Sequence, residues 1–163
     1  MRPPFAGLFV AAFVLIVDHL SKWAITGPIG LPERAPIELL PVLRLIFVEN
    51  YGVSMGFLRA GSGTERWLLT AVTAAIAIGV AAWLFRERKL ADALALGAIL
   101  GGAIGNIADR VKLGYVVDFL NLHFGAWSPF LVFNVADAAI SIGVALLVIR
   151  ALLAPRTQAL PEK

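Results

Sequence analysis

Residues 86–110 read Arg86-Glu87-Arg88-Lys89-Leu90-Ala-Asp-Ala-Leu-Ala-Leu-Gly97-Ala-Ile-Leu-Gly101-Gly102-Ala-Ile-Gly105-Asn106-Ile-Ala-Asp109-Arg110. From Leu90 to Ala108 the run is apolar and close to the about 20 residues that a helix needs to cross a hydrocarbon core. It begins at a short basic loop and ends on Asn106, Asp109 and Arg110 within one turn. Gly97, Gly101 and Gly105 recur every four residues, so they share one face, where a neighbouring helix can approach closely. The stretch predicts a membrane span with other helices packed on it.

Three further windows have the same character: Phe5–Ile25, Trp67–Phe85 and about Asn134–Leu153. The 163 residues are 60% hydrophobic and only 15% charged, too little charge for a water-soluble domain of this length. That length allows one integral membrane domain over residues 1–163. All four tryptophans, Trp23, Trp67, Trp83 and Trp127, fall near span ends, where indole keeps its ring apolar and its N–H wet. The 86–89 loop is rich in Arg and Lys, so the positive-inside rule places it in the cytoplasm. Both termini follow it there, in keeping with Arg2, Arg150, Arg156 and Lys163, and segments 26–66 and 109–133 are then extracytoplasmic. The first span continues through Asp18 and Lys22 with no small-x-small cleavage site, so it is expected to be retained rather than removed as a signal. In the first outer segment, the breakers Gly27, Pro28, Gly30, Pro32 and Pro36 precede Val42-Leu43-Arg44-Leu45-Ile46-Phe47-Val48. This β-branched and aromatic run predicts one or more strands ending near Asn50 and Gly52, lying on the membrane surface.

Composition also excludes chemistries. No cysteine is present, which removes thiol nucleophiles and Cys-type metal sites. The two histidines, His19 and His123, are far apart and no His-Glu-x-x-His occurs, so no metal site is expected. A net charge of +3 placed at membrane edges gives no support to nucleic-acid binding.

The chemistry is expected at Asp118 and Asp137, each flanked by apolar residues. A carboxylate at a helix centre costs roughly 2.5–3.5 kcal/mol on insertion scales, so it is rarely kept without a task. Asn134, Asp137 and Ser141 are spaced to share one helical face. Asn134 and Ser141 read equally as glue between helices, but glue does not need a titratable acid. Asp118 is read in the outer loop, either facing water or held at the interface by Val116, Val117, Phe119 and Leu120; the second reading is favoured. Asp109 and Arg110 form an ordinary interfacial pair, or Arg110 orients the loop of the site. Asp18 and Lys22, at i and i+4, are spaced for an ion pair and read as structural, with Lys22 also long enough to snorkel to the headgroups.

The ordered set Asp18-x-x-Ser21-Lys22, Asn50-x-Gly52, Gly101-Gly102-Ala103-x-Gly105-Asn106-x-x-Asp109-Arg110, Val117-Asp118-Phe119 and Phe133-Asn134-x-Ala136-Asp137 resembles the bacterial lipoprotein signal peptidases, the signal peptidase II family. The resemblance implies a fold of four transmembrane helices with a small extracytoplasmic β-cradle. It implies an aspartic endopeptidase of the bacterial inner membrane that removes the signal peptide of diacylglyceryl-modified prolipoproteins, cutting before the lipidated cysteine. Asp118 and Asp137 match the catalytic pair. Asn50, Gly52, Asn106, Asp109, Arg110 and Asn134 match positions that support or line the site, and Asp18 and Lys22 match the first-span motif. No cofactor is implied; the partners are the prolipoprotein and membrane lipids, and the chain is expected to act as a monomer. Two departures bear on substrate preference: Asn50-Tyr51-Gly52-Val53-Ser54-Met55 stands where the family commonly reads Asn-Thr-Gly-Ala-Ala-Phe, and His19 stands where glutamine is common.

Two other classes suit parts of the pattern. A proton-coupled transporter also uses membrane carboxylates, but Asp109, Asp118 and Asp137 gather at one interface instead of marking a path across. A scaffold built on the glycine face predicts that glycine changes matter more than aspartate changes.

Overall fold

The computed structural model describes residues 2–52, 63–125 and 127–153. Four helices, α1 (Pro3–Thr26), α2 (Gly63–Arg86), α3 (Leu90–Lys112) and α4 (Val135–Leu153), are each long and apolar enough to cross a membrane. Strands β1 (Ile37–Leu40), β2 (Leu43–Asn50) and β3 (Val116–Leu122) form one antiparallel sheet in the order β1-β2-β3. The architecture is therefore the expected one, a helical membrane protein with a small sheet. Val53, Ser54 and Met55, and Arg156 and Lys163 of the C-terminal tail, lie outside the described residues.

Local chemistry sets the helix ends. Pro3 and Pro4 open α1, where a missing N–H costs nothing, and Gly27-Pro28 closes it. Between α2 and α3 the Glu87 carboxylate accepts from the backbone N–H groups of Lys89 and Arg88, both at 2.8 Å, and from the Trp83 indole at 3.2 Å. The Lys89 N–H, helped by the other two donors, holds the Glu87 carboxyl below its usual range.

Helix α3 is the centre of the bundle. Over its most apolar 18 residues 56% are buried, against 22% or less for each of the other helices, which turn wide apolar faces outward. Without water outside, close backbone packing takes over much of the role that burial plays in a soluble core. A methyl group on Gly97 would strike the backbone of Gly7, and one on Gly101 the backbone of Ala11, so this face is where α1 lies. On another face, a methyl on Gly102 would come 2.5 Å from the Ala136 carbonyl of α4. The neighbours here are backbone atoms and cannot swing aside. Gly101→Ala is expected to cost about 1–3 kcal/mol in a detergent melt. Gly79→Ala on α2, where a methyl meets nothing within 4 Å among the described residues, is expected to be neutral or slightly stabilising.

The sheet covers one end of the bundle. Ile25 at the end of α1, Leu31, Leu45, Val117 and Phe119 form its buried cluster. The predicted run 42–48 falls almost wholly on β2, and the strand ends at Asn50. Asp118, read from sequence as a loop residue, lies instead inside β3, where Val48 faces it across the sheet. Val116, Val117, Asp118 and Phe119 are all buried, so the segment lacks the in-and-out alternation that marks a strand. Between Leu45↔Leu120 and Val48↔Asp118 the β2 strand carries one residue more than β3. This bulge sits beside Asp118 and sharpens the local twist.

Candidate active site

The start of α4 is built as a reciprocal cap. Phe133 pairs with Leu120 of β3 through bonds of 2.8 and 2.9 Å, which fixes the residue that follows it. That residue, Asn134, is the N-cap: its Oδ1 accepts the Asp137 N–H at 2.9 Å, and Asp137 Oδ2 accepts the Asn134 N–H at 3.2 Å. This is the capping-box exchange with Asn and Asp in place of Ser and Glu. Asp18 of α1 takes the next free donor, the Ala136 N–H, at 3.0 Å. Asn134 is thus a cap rather than a residue of the helix proper, and Ser141, one turn beyond Asp137 on α4, is exposed.

Asn134 also joins the two carboxylates. Its Nδ2 donates to Asp118 Oδ1 at 2.6 Å, while its backbone N–H is the one bonded to Asp137. Asn50 Nδ2 donates to the other Asp118 oxygen at 2.8 Å. The Gly52 N–H in turn holds Asn50 Oδ1 at 2.9 Å, which fixes how the Asn50 amide points. Gly52 has φ of +96°, and a Cβ there would strike Leu69, so only glycine makes this turn comfortably. Asn106 Nδ2 donates to Asp137 Oδ1 at 2.8 Å, and its Oδ1 accepts Asn134 Nδ2 at 3.2 Å. Three asparagines therefore supply the donors that orient the pair.

Beneath them lies a buried charge cluster. Lys22 Nζ sits 2.8 Å from both Asp18 and Asp109 and 3.3 Å from Asn106 Oδ1. Lys22 does not snorkel: it is 5% exposed, because two carboxylates inside the bundle hold it. Asp109 is likewise not the simple partner of its neighbour Arg110. It pairs with Lys22 across the α1–α3 contact and accepts the Val117 N–H of β3 at 3.2 Å. Gly105 makes the approach possible, since a Cβ there would lie 2.6 Å from Asp18 Oδ2. Arg110 is half-buried within electrostatic reach of Asp137, Asp118 and Asp109, and its Nε has no hydrogen-bond partner among the described residues.

Asp118 is 1% exposed, and burial lifts its pKa from 3.8 to about 6, with the charge of Asp137 adding to the rise. Donors from Asn50 and Asn134 act the other way. A raised value means that ionised Asp118 burdens the folded state. Its stabilising contribution is complete below about pH 4 and is lost as pH rises through about 6. Stability relative to Asp118→Asn should therefore fall by about 3 kcal/mol between pH 4 and pH 8. Melts of both proteins at the two pH values measure it.

Sequence reasoning missed several braces. His123 Nε2 lies 2.9 Å from Glu38 Oε2, Arg44 Nε donates to Asn121 Oδ1 at 2.9 Å, and the Tyr51 hydroxyl donates to Glu49 at 2.5 Å. The Tyr51 and Tyr115 rings also meet, 5.5 Å between centroids. Apart from the local Tyr51–Glu49 bond, these pairs join residues far apart in sequence, and no spacing rule announces them.

Four helices able to span a membrane, with two carboxylates bridged by Asn134 at one end of the bundle, make the frame of a multi-pass membrane enzyme. Two solved structures of bacterial membrane enzymes share the fold: one at TM-score 0.79 and 28% identity, covering 96% of this chain and 93% of its own, the other at 0.78 and 29%, covering 91% and 94%. Residues 10–153 match the family described as Signal peptidase (SPase) II. A lipoprotein signal peptidase of Rhizorhabdus wittichii is 65% identical over 147 residues, 90% of this chain and 86% of that one. Another, of Sphingopyxis alaskensis, is 50% identical over 90% of this chain and 85% of its own. The chain belongs to the signal peptidase II family and is a peptidase.

Proposed function

We propose that the protein is an aspartic endopeptidase of the bacterial inner membrane that removes signal peptides from diacylglyceryl-modified prolipoproteins, cutting before the lipidated cysteine. The observation that carries the mechanism is Asn134, which hydrogen-bonds both Asp118 and Asp137 and so holds them as a pair. Two close carboxylates do not both ionise cheaply, so the pair shares one proton.

The proton resides on Asp118, the more deeply buried member. Negative charge resides on Asp137, which is only half-buried and lies at the positive end of the α4 dipole. Asp137 takes a proton from a water molecule as its oxygen attacks the scissile carbonyl. Asp118 gives its proton to the carbonyl oxygen, so a neutral tetrahedral adduct forms with no net change in charge. Collapse of the adduct returns the hydroxyl proton to Asp118, breaks the C–N bond and delivers the Asp137 proton to the leaving amine. Arg110 supplies fixed positive charge beside these steps and moves no proton. Asn50, Gly52 and Asn106 position the acids, and Asp18, Lys22 and Asp109 hold the helices that carry them. The single domain has both termini in the cytoplasm, which leaves the site at the extracytoplasmic face. There the signal helix stays in lipid while its unwound end meets water.

Purified protein incubated with a diacylglyceryl-modified prolipoprotein and its unmodified counterpart tests the reading. Mass spectrometry should find a signal peptide ending at the residue before the cysteine, and only from the modified substrate. Cleavage elsewhere, or equal cleavage of the unmodified chain, contradicts it.

A further inference from the structure

A cavity of about 360 Å³ opens between α1 and α3 at the same end of the bundle as the carboxylates. Leu15, Ile16 and Leu20 of α1 and Ile104 and Ala108 of α3 form its apolar wall, and His19 and Lys112 stand on its rim. Its volume is at the small end of the range for ligand pockets, about 300–1,000 Å³. The groove faces away from the catalytic pair. Ile104, Ala108 and Lys112 descend one face of α3, whereas Asn106 lies two residues from Ile104 and from Ala108, about 200° around the helix. On α1, Ile16 and Leu20 are likewise two residues either side of Asp18, which points to the bundle interior.

We propose that this groove binds one membrane glycerophospholipid, with an acyl chain against Ile16, Leu20, Ile104 and Ala108 and the headgroup phosphate on Lys112 beside His19. The charge on the rim selects this occupant. Lys112 is the last residue of α3 and makes no ion pair among the described residues, so its ammonium is available to an anion. The lipid of a diacylglyceryl-modified cysteine has two acyl chains but no phosphate, so it leaves that ammonium unmatched. A phospholipid satisfies both the apolar wall and the cationic rim. Such a lipid fills the space where α1 and α3 leave a gap, and it does so without obstructing the catalytic end of α4.

Native mass spectrometry of detergent-released protein titrated with phosphatidylglycerol tests the site, with dioleoylglycerol as the phosphate-free probe. Wild type should take up one phosphatidylglycerol at least five-fold more tightly than dioleoylglycerol. Ala108→Trp, which fills the groove, and Lys112→Glu, which reverses its rim, should each weaken that uptake at least five-fold. Both should still cleave prolipoprotein, which separates this site from the catalytic one. Where Ala108→Trp does not fold, Lys112→Glu decides alone. Unchanged phosphatidylglycerol binding in the folded variants, or equal binding of dioleoylglycerol by wild type, overturns the proposal.

Discussion

Asp137→Asn is expected to lower prolipoprotein cleavage by about 10³-fold or more while the bundle stays folded. General base catalysis alone contributes about 10²–10⁴-fold, and an amide cannot take the proton of the attacking water. The fold has less at stake. The amide introduced at position 137 keeps one oxygen to accept from either Asn106 Nδ2 or the Asn134 N–H, and the backbone N–H of that position still reaches Asn134 Oδ1. Losing one acceptor beside two donors should cost about 1–3 kcal/mol. A lowered but cooperative melt with vanished activity is the predicted pattern.

The largest stability effect is expected at Lys22→Met. Lys22 is the shared counter-charge of Asp18 and Asp109, both buried, and removing it strands two carboxylates inside the bundle. Breaking a buried pair by deleting one partner costs about 3–5 kcal/mol, much of it the penalty of the charge left behind. Removing those charges as well, in Lys22→Met with Asp18→Asn and Asp109→Asn, should recover a large part of the loss. The amide introduced at position 18 retains an oxygen for the Ala136 N–H, so the cap on α4 survives that change. Melts of the single and triple variants measure both terms. If Lys22→Met melts as wild type does, the cluster does not support the site.

The helical frame was legible because a membrane imposes a simple code: long apolar runs, tryptophans at the ends and glycines every fourth residue where backbones touch. The strand holding Asp118 was not legible, because both of its faces are covered and the alternation that reveals a strand is gone. Asp137 stood out as an acid among alanines and isoleucines, but its three-residue spacing from Asn134 read as a shared helical face, and the capping exchange came from the structure. The pairing of Lys22 with Asp109 spans two helices and depends on how close Gly105 lets them come, which no local pattern encodes. Asn50 presents the same difficulty, since its bond to Asp118 depends on strand register and on the turn at Gly52. Order along the chain, read through the family resemblance, supplied these residues; their contacts came from the structure.

The measurement closest to the central claim is cleavage of a diacylglyceryl-prolipoprotein by wild type, Asp118→Asn, Asp137→Asn and the double variant, each with its melt recorded in the same detergent. Two acids that share one proton act as a unit, so each folded single variant should lose about as much activity as the double variant. A folded single variant that still cleaves at near wild-type rate would contradict the aspartic pair.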